Sequence, residues 1–153
     1  MTTQAIQEVR AAHEQLGARF AALEAAIKPQ TYAVPGAEIT LQPGEHYAGI
    51  VLGADGTPSH HLILLPGEAD DIKWKAALKW AEKQGGELPT RQEQALLFAN
   101  LKGEFQGAWY WSNQQHESDE GYAWAQDFYD GYQSFFHHYV GLRARAVRRL
   151  TIQ

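Results

Sequence analysis

Apolar side chains recur near the start of the chain at Ile6, Val9, Leu16, Phe20, Leu23 and Ile27, with His13 completing the series. The steps alternate three and four, the period of a helix that repeats one face every seven residues. Residues 3–28 are therefore expected to form a helix. Ile6, His13, Phe20 and Ile27 take one seam position and Val9, Leu16 and Leu23 the other. Thr2 or Thr3 can cap its start, and Pro29 stops it. Alanine fills much of the remaining surface, so helix propensity is good while the apolar stripe stays narrow. Such a stripe is best buried by partner helices, which predicts a homo-oligomer, a trimer in preference to a dimer. A seam this short is marginal alone, so the rest of the chain is expected to help hold the assembly. His13 would meet its symmetry copies, which predicts an assembly weaker in acid.

The pattern then changes. Residues 30–45 contain Pro35, Pro43, Gly36 and Gly44 and read as a connector with short extended pieces such as 38–41. Tyr47 to Leu52 and His61 to Leu65 read as two strands joined by a hairpin at Asp55-Gly56. His60 and His61 are strand neighbours, so they point to opposite faces and cannot hold one metal together; both are expected at a sheet edge. Asp70 to Gln84 is expected to be a helix capped by Asp70 or Asp71, with Ile72, Trp74, Ala76, Leu78 and Trp80 inward and Gly85-Gly86 as its stop. Thr90 with Glu93 three residues on is a capping box that starts a further helix over 91–102, burying Leu96, Leu97, Phe98 and Leu101. For Glu93 and Arg91, capping explains their presence without a catalytic role. Trp109-Tyr110-Trp111, Tyr122 to Phe128 and Arg143 to Leu150 alternate as strands, and Asp130-Gly131 marks a turn. The arginines of the last strand need carboxylates or a neighbouring subunit, and Asp119, Glu120 and Asp127 are the expected partners. Two helices between a hairpin and later strands predict an α+β domain over 46–153, preceded by the helical segment 1–29 and the connector 30–45.

Within this plan the segment 129–141 stands apart, being rich in Tyr, Phe, His, Asp and Ser without helical or strand periodicity. Rings in such a segment usually meet something outside the molecule, and Tyr gives contact area at low entropic cost. Tyr129, Asp130, Tyr132, Ser134, Phe135, Phe136, His137, His138, Tyr139 and Val140 are the candidate ligand-binding residues. The competing reading is that Phe135 and Phe136 close the core.

Composition narrows the function. The 153 residues are 44% hydrophobic, enough for one sizeable core, and the formal net charge of −5 disfavours a nucleic-acid partner held by its phosphates. There is no cysteine, which removes disulfides, thiolate metal sites and cysteine nucleophiles. No apolar run is long enough to span a bilayer, and no export signal is read at the start, so no membrane insertion is expected.

Gly86-Glu87-Leu88-Pro89-Thr90, Trp109-Tyr110-Trp111-Ser112, Ala123-Trp124 and the closing Leu142-Arg143-Ala144-Arg145-Ala146-Val147-Arg148 together resemble a known family. This is the C-type-lectin-fold domain at the C-terminus of a collagen-like bacterial surface adhesin and in phage and prophage proteins. The likeness covers about residues 46–150. It implies two helices and a twisted antiparallel sheet supporting a variable loop surface, and a ligand or receptor binder rather than an enzyme. Some members resemble the variable proteins of diversity-generating retroelements, in which adenines of a fixed window are mutated. Tyr129, Asp130, Tyr132 and each residue from Ser134 to Gly141 can be reached from an AAC codon by replacing adenines, a permissive test that Lys, Gln, Glu, Met and Trp fail. The sequence departs from calcium-dependent sugar-binding lectins, whose Glu-Pro-Asn or Gln-Pro-Asp loop and Trp-Asn-Asp strand it lacks. Glu117, Asp119 and Glu120 are close in sequence, but a solvated acidic loop is the expected state, with no metal. The formylglycine-generating enzymes of this fold depend on cysteines, which are absent here.

The expected function is thus a non-enzymatic receptor-binding protein without a cofactor, carried on a virion tail or found in the bacterial cytoplasm before assembly. Its ligand would be a protein or a glycan on a target surface. A structural assembly subunit is the alternative. A hydrolase using His137 or His138 with Asp127 or Asp130 ranks last, because Ser112 and Ser134 lack the glycine frame of a nucleophile elbow.

Overall fold

The seven-residue repeat forms one helix, α1 (Thr2–Ile27), in the computed structural model, which describes residues 2–27 and 36–153. Thr2 and Thr3 are themselves helical, so the cap expected at either is not formed; a cap residue lies just outside the helical turn. Lys28, the expected stop at Pro29 and the first part of the connector fall outside the described residues. Every described residue of α1 is exposed, the seam included. The chain divides into two units, Met1–Ala33 and Val34–Gln153, and each is described by itself. No described helix is long and apolar enough to cross a membrane.

The second unit is α+β. In chain order it runs β1 (His46–Leu52), β2 (Pro58–Leu64), β3 (Ala69–Ile72), α2 (Trp74–Lys83), α3 (Arg91–Leu101) and a 3-10 turn (Lys102–Glu104). There follow β4 (Trp109–Gln115), β5 (Tyr122–Asp127), β6 (Gln133–His137), β7 (Leu142–Ala144) and β8 (Val147–Thr151). They build a three-stranded sheet ordered β1-β2-β8 and a five-stranded sheet ordered β3-β7-β4-β5-β6. The β1–β2 hairpin closes as its Asp-Gly pair predicts: the Gly53 amide donates to the Thr57 carbonyl at 2.8 Å, and Gly56 takes a positive φ of 81°. The connector piece 38–41 forms no strand.

Two apolar clusters fill the unit. One gathers Trp74, Ala77 and Ala81 of α2 against Trp111, Ala123, Ala125 and Ala144 of the larger sheet. The other gathers Leu97 of α3 with Tyr110, Phe128, Leu62, Leu64 and Val147. The smallest residues of β5, Ala123 and Ala125, face inward, which lets the helix side approach and leaves Tyr122 and Trp124 on the other face. Gly86 is needed for close approach: a Cβ there would lie 2.2 Å from the Val147 carbonyl oxygen, where Glu87 and Val147 exchange backbone hydrogen bonds of 3.0 and 2.8 Å.

Several expectations are corrected. Asp70 and Asp71 do not cap α2; they lie in β3, where Ala69 pairs with Ala144 and Ile72 with Leu142. The helix begins at Trp74, whose amide donates to the His138 carbonyl (3.2 Å) and whose indole nitrogen donates to the Ser112 carbonyl (2.8 Å). Its inward stripe is Trp74, Ala77 and Ala81, while Ala76 is exposed. The segment 129–141, expected to be irregular, contains strand β6, because Ser134, Phe135 and Phe136 pair with Ala125, Trp124 and Ala123. Arg143 to Leu150 is not one strand but two, in different sheets. The chain crosses at Arg145-Ala146, where the Arg145 guanidinium is buried against the carbonyls of Glu104 and Leu65. His60 and His61 do face opposite ways, but from the central strand of their sheet: His61 meets the Tyr47 hydroxyl at 2.8 Å, and His60 meets Glu93.

Candidate functional site

The ten candidate residues separate into three groups. The first is the β5–β6 turn. The Asp127 carboxylate accepts the Tyr129 amide at 2.9 Å, and that of Asp130 accepts the Tyr132 amide at 3.0 Å. Lys102 Nζ donates to the Tyr129 carbonyl at 2.9 Å. Gly131, at φ 88°, lies so close to Phe98 that a Cβ would stand 2.9 Å from its ring. These local bonds hold the backbone while the Tyr129 and Tyr132 rings project outward.

The second group lies on the outer face of β5 and β6. Register puts Phe135 opposite Trp124 and His137 opposite Tyr122. Phe135 meets Trp124 edge-on at 5.3 Å and His116 at 4.5 Å, Tyr122 meets His137 at 5.3 Å, and Tyr139 stacks on His137 at 4.9 Å. The Arg91 guanidinium sits 3.5 Å over Trp124 and pairs with Glu117 at 3.7 Å, pinning the ladder at one end. Exposure is 72% for Tyr129, 71% for Tyr132, 45% for Phe135 and 75% for Tyr139, so these rings meet solvent. Val140 is exposed in the turn that follows, its amide bonded to the His137 carbonyl at 2.9 Å.

The third group faces inward. Phe136 packs edge-on against Trp109 at 4.9 Å and Trp111 at 6.4 Å, and Ser134 shares its face with buried Ala125. His138 stacks on Trp74 at 4.4 Å, and its backbone is bonded on both sides, to Gly121 and Trp74. Phe136 thus serves the core, as the competing reading of the sequence had it, whereas Phe135 does not.

Sequence reasoning missed His116, Tyr122, Trp124 and Arg91 as parts of this surface. The signal was present in the alternation of Tyr122-Ala123-Trp124-Ala125, once small residues are recognised as the ones that a neighbouring layer can approach closely.

Among the described residues no hydrogen bond joins His137 or His138 to Asp127 or Asp130, and the two carboxylates instead fix the turn. Glu117 accepts the Trp124 indole at 3.1 Å and Asp119 accepts the Gly121 amide at 3.2 Å. No group of three or more metal-ligating side chains is arranged around a common point among the described residues.

The charged groups of the last strands also differ from expectation. In place of Asp119, Glu120 and Asp127, Arg143 pairs with Glu68 (3.0 Å) and Asp70 (3.5 Å), Arg148 with Glu45, and Arg149 with Glu87 and Glu93. Glu93 is fully buried. One carboxylate oxygen accepts the Thr90 amide and Arg149 Nη2, both at 2.8 Å; the other accepts Arg149 Nε at 2.7 Å and lies 2.8 Å from His60 Nε2. Burial alone would raise this carboxyl's pKa, but the Arg149 and Thr90 hydrogen bonds, the Arg149 charge and the His60 contact outweigh it, so the group is held below its ordinary 4.5. A carboxyl depressed by folding contributes stability that is full above its unfolded value and lost as pH falls through the folded one. Glu45 behaves alike, lowered first by its bond to Arg148 against a smaller effect of burial. The melting temperature is therefore expected to hold between neutral pH and about 5 and to fall below it, and Glu93→Gln should flatten that fall. Thermal unfolding followed at stepped pH checks both.

Compared with known proteins, the chain matches no family model, and no curated protein matches it significantly.

Proposed function

We propose that this chain is a non-enzymatic binding protein that displays an aromatic surface from a rigid C-type-lectin-like domain and gathers copies of that surface through α1. The carrying observation is the exposure of Tyr129, Tyr132, Phe135 and Tyr139 on backbone that local hydrogen bonds and strand pairing already hold. Rings fixed before contact lose little freedom on binding. The lectin-like reading is supported by the way β8 returns to pair with the early β1–β2 hairpin, with both helices placed between the hairpin and the later strands. In this reading the protein is a phage or prophage receptor-binding protein, or a variable protein diversified by a retroelement, carried on a virion tail or held in the bacterial cytoplasm before assembly. Its target is a protein or glycan on a surface. Several weak contacts from one trimer add up to avidity without new chemistry.

Replacing Tyr129, Tyr132, Phe135 and Tyr139 together by Ser is expected to abolish retention on a glycan array or on a panel of intact bacterial cells while moving the melting temperature by only about 2–3 °C, as for surface changes. Phe136→Ala should behave oppositely, costing about 2 kcal/mol and roughly 5–10 °C because it opens the core edge. A fourfold variant that unfolds would make these rings core residues. One that stays folded but falls apart into monomers would favour the second reading, an assembly subunit, to which the edge position of β6 lends itself. The retroelement origin predicts codons ending in C at the candidate positions and a nearby near-copy of the same stretch in the genome.

A further inference from the structure

A cleft of about 480 Å³ opens where the start of α2 faces the end of β6; Lys73, Lys75, Gly121, His137, His138 and Tyr139 are among its lining residues. Its volume falls within the roughly 300–1,000 Å³ typical of small-molecule sites. Its charge is unusual for a protein of net charge −5. Among the described residues neither Lys73 nor Lys75 has an acidic partner, as holds for every described lysine, but these two stand together on one cleft. Of the two acidic residues shortly before Lys73, Asp70 is engaged by Arg143 and Asp71 holds its carboxylate against Gly141, while the Asp119 carboxylate accepts the Gly121 amide.

Three further features bear on what the cleft accepts. Lys73 stands at the cap position of α2 and makes no side-chain cap bond, so the partial positive charge of the helix start adds to the two ammonium groups. Tyr139, stacked on His137, offers a flat wall, with Lys73 Nζ 5.7 Å from its ring centre. His138, stacked on Trp74, contributes a flat ring to the lining, its Nε2 closed off from solvent and without a hydrogen-bond partner among the described residues.

We infer that this cleft binds a small organic oxyanion, a carboxylate or phosphate carried on a flat ring. The oxyanion would lie by Lys73, Lys75 and the first turn of α2, and the ring against Tyr139 and His137. The inference deepens the binding-protein reading and rests on it in one respect, since His137 and Tyr139 belong to both the outer ladder and the cleft.

Titration calorimetry on the full chain with phenyl phosphate, benzoate, inorganic phosphate and benzyl alcohol tests it. Phenyl phosphate and benzoate are expected to bind saturably, more tightly than inorganic phosphate, and benzyl alcohol is not expected to bind. Lys73→Ala with Lys75→Ala should weaken both ring anions at least about tenfold, with an unchanged melting temperature, and added salt should weaken them in the wild type. Absence of saturable binding by either ring anion up to millimolar concentration would overturn the assignment. So would equal affinity in the double variant, or inorganic phosphate matching phenyl phosphate. Tyr129→Ser with Tyr132→Ser should bind phenyl phosphate as the wild type does, so the cleft stands or falls separately from capture of a target by the exposed turn.

Discussion

Glu93→Ala is expected to destabilise the second unit by about 3–5 kcal/mol, which is the scale for removing one partner of a buried, hydrogen-bonded ion pair. The loss has several parts. The Arg149 guanidinium would keep only its contacts to Glu87 and the Leu88 carbonyl, His60 would lose its acceptor, and the Thr90 amide would lose half of the capping box. Because α3, β2 and β8 meet at this carboxylate, the damage reaches the attachment of the three-stranded sheet to the helix. Urea unfolding of wild type and variant measures it directly. Glu93→Gln should cost less, since its amide oxygen can still accept from Thr90. Replacing Glu93 and Arg149 together by Met should cost less than the sum of the single changes, because no buried charge is then left unpaired and Glu87, which loses its partner, stays in solvent. A single-variant loss below about 1 kcal/mol would mean that water replaces the network at little cost.

Leu16→Asp with Leu23→Asp is expected to convert the assembly into monomers. In α1 the exposures of Ile6, Val9, Leu16, Phe20, Leu23 and Ile27 run from 52% to 80%, so six apolar side chains lie in water along one stripe. Burying each between helices is worth about 1.5–3 kcal/mol, and two carboxylates in the seam remove that gain and add repulsion between copies. Sedimentation equilibrium should return three times the chain mass for the wild type and the chain mass for the variant. Helical circular dichroism should fall with it, since a helix of this length holds poorly without partners. A wild type that is already monomeric at micromolar concentration would sink the trimer. If the trimer stands, the loss of mass should be matched by loss of surface retention although every ring is intact, which isolates avidity from contact chemistry.

How much of this could be read in the sequence depended on whether the signal was local. The capping box at Thr90 and Glu93, the Asp55-Gly56 turn and the Gly85 stop each depend on a few adjacent residues, and each forms as expected. The start of α2 did not, because Asp70 and Asp71 look like caps until β7, some seventy residues on, pairs with Ala69 and Ile72 on either side of them. Strand β6 was hidden because aromatics occupy both its faces: Phe135 outward against Trp124, Phe136 inward against Trp109. Alternation of apolar and polar residues marks a strand with one wet face, and this strand's outer face is a ring ladder. The arginine partners were out of reach for the same reason, being set by which strands lie side by side. The exposed tyrosines were legible because turn chemistry around Asp130-Gly131 is local, while the cleft, assembled from 73, 75, 76, 121 and 137–139, was not.

Strand β8 also has a consequence for how the protein is made. Its partner β2, with Leu62, Ile63 and Leu64 fully buried, leaves the ribosome long before β8 does. Until Val147 to Thr151 follow, one side of β2 has open amides and carbonyls beside an apolar row, which is the kind of template that neighbouring nascent chains can zip onto. Ribosomes stalled before residue 147 should therefore hold a hairpin that is sticky and easily proteolysed, and release of the last strand should be the step that hides it.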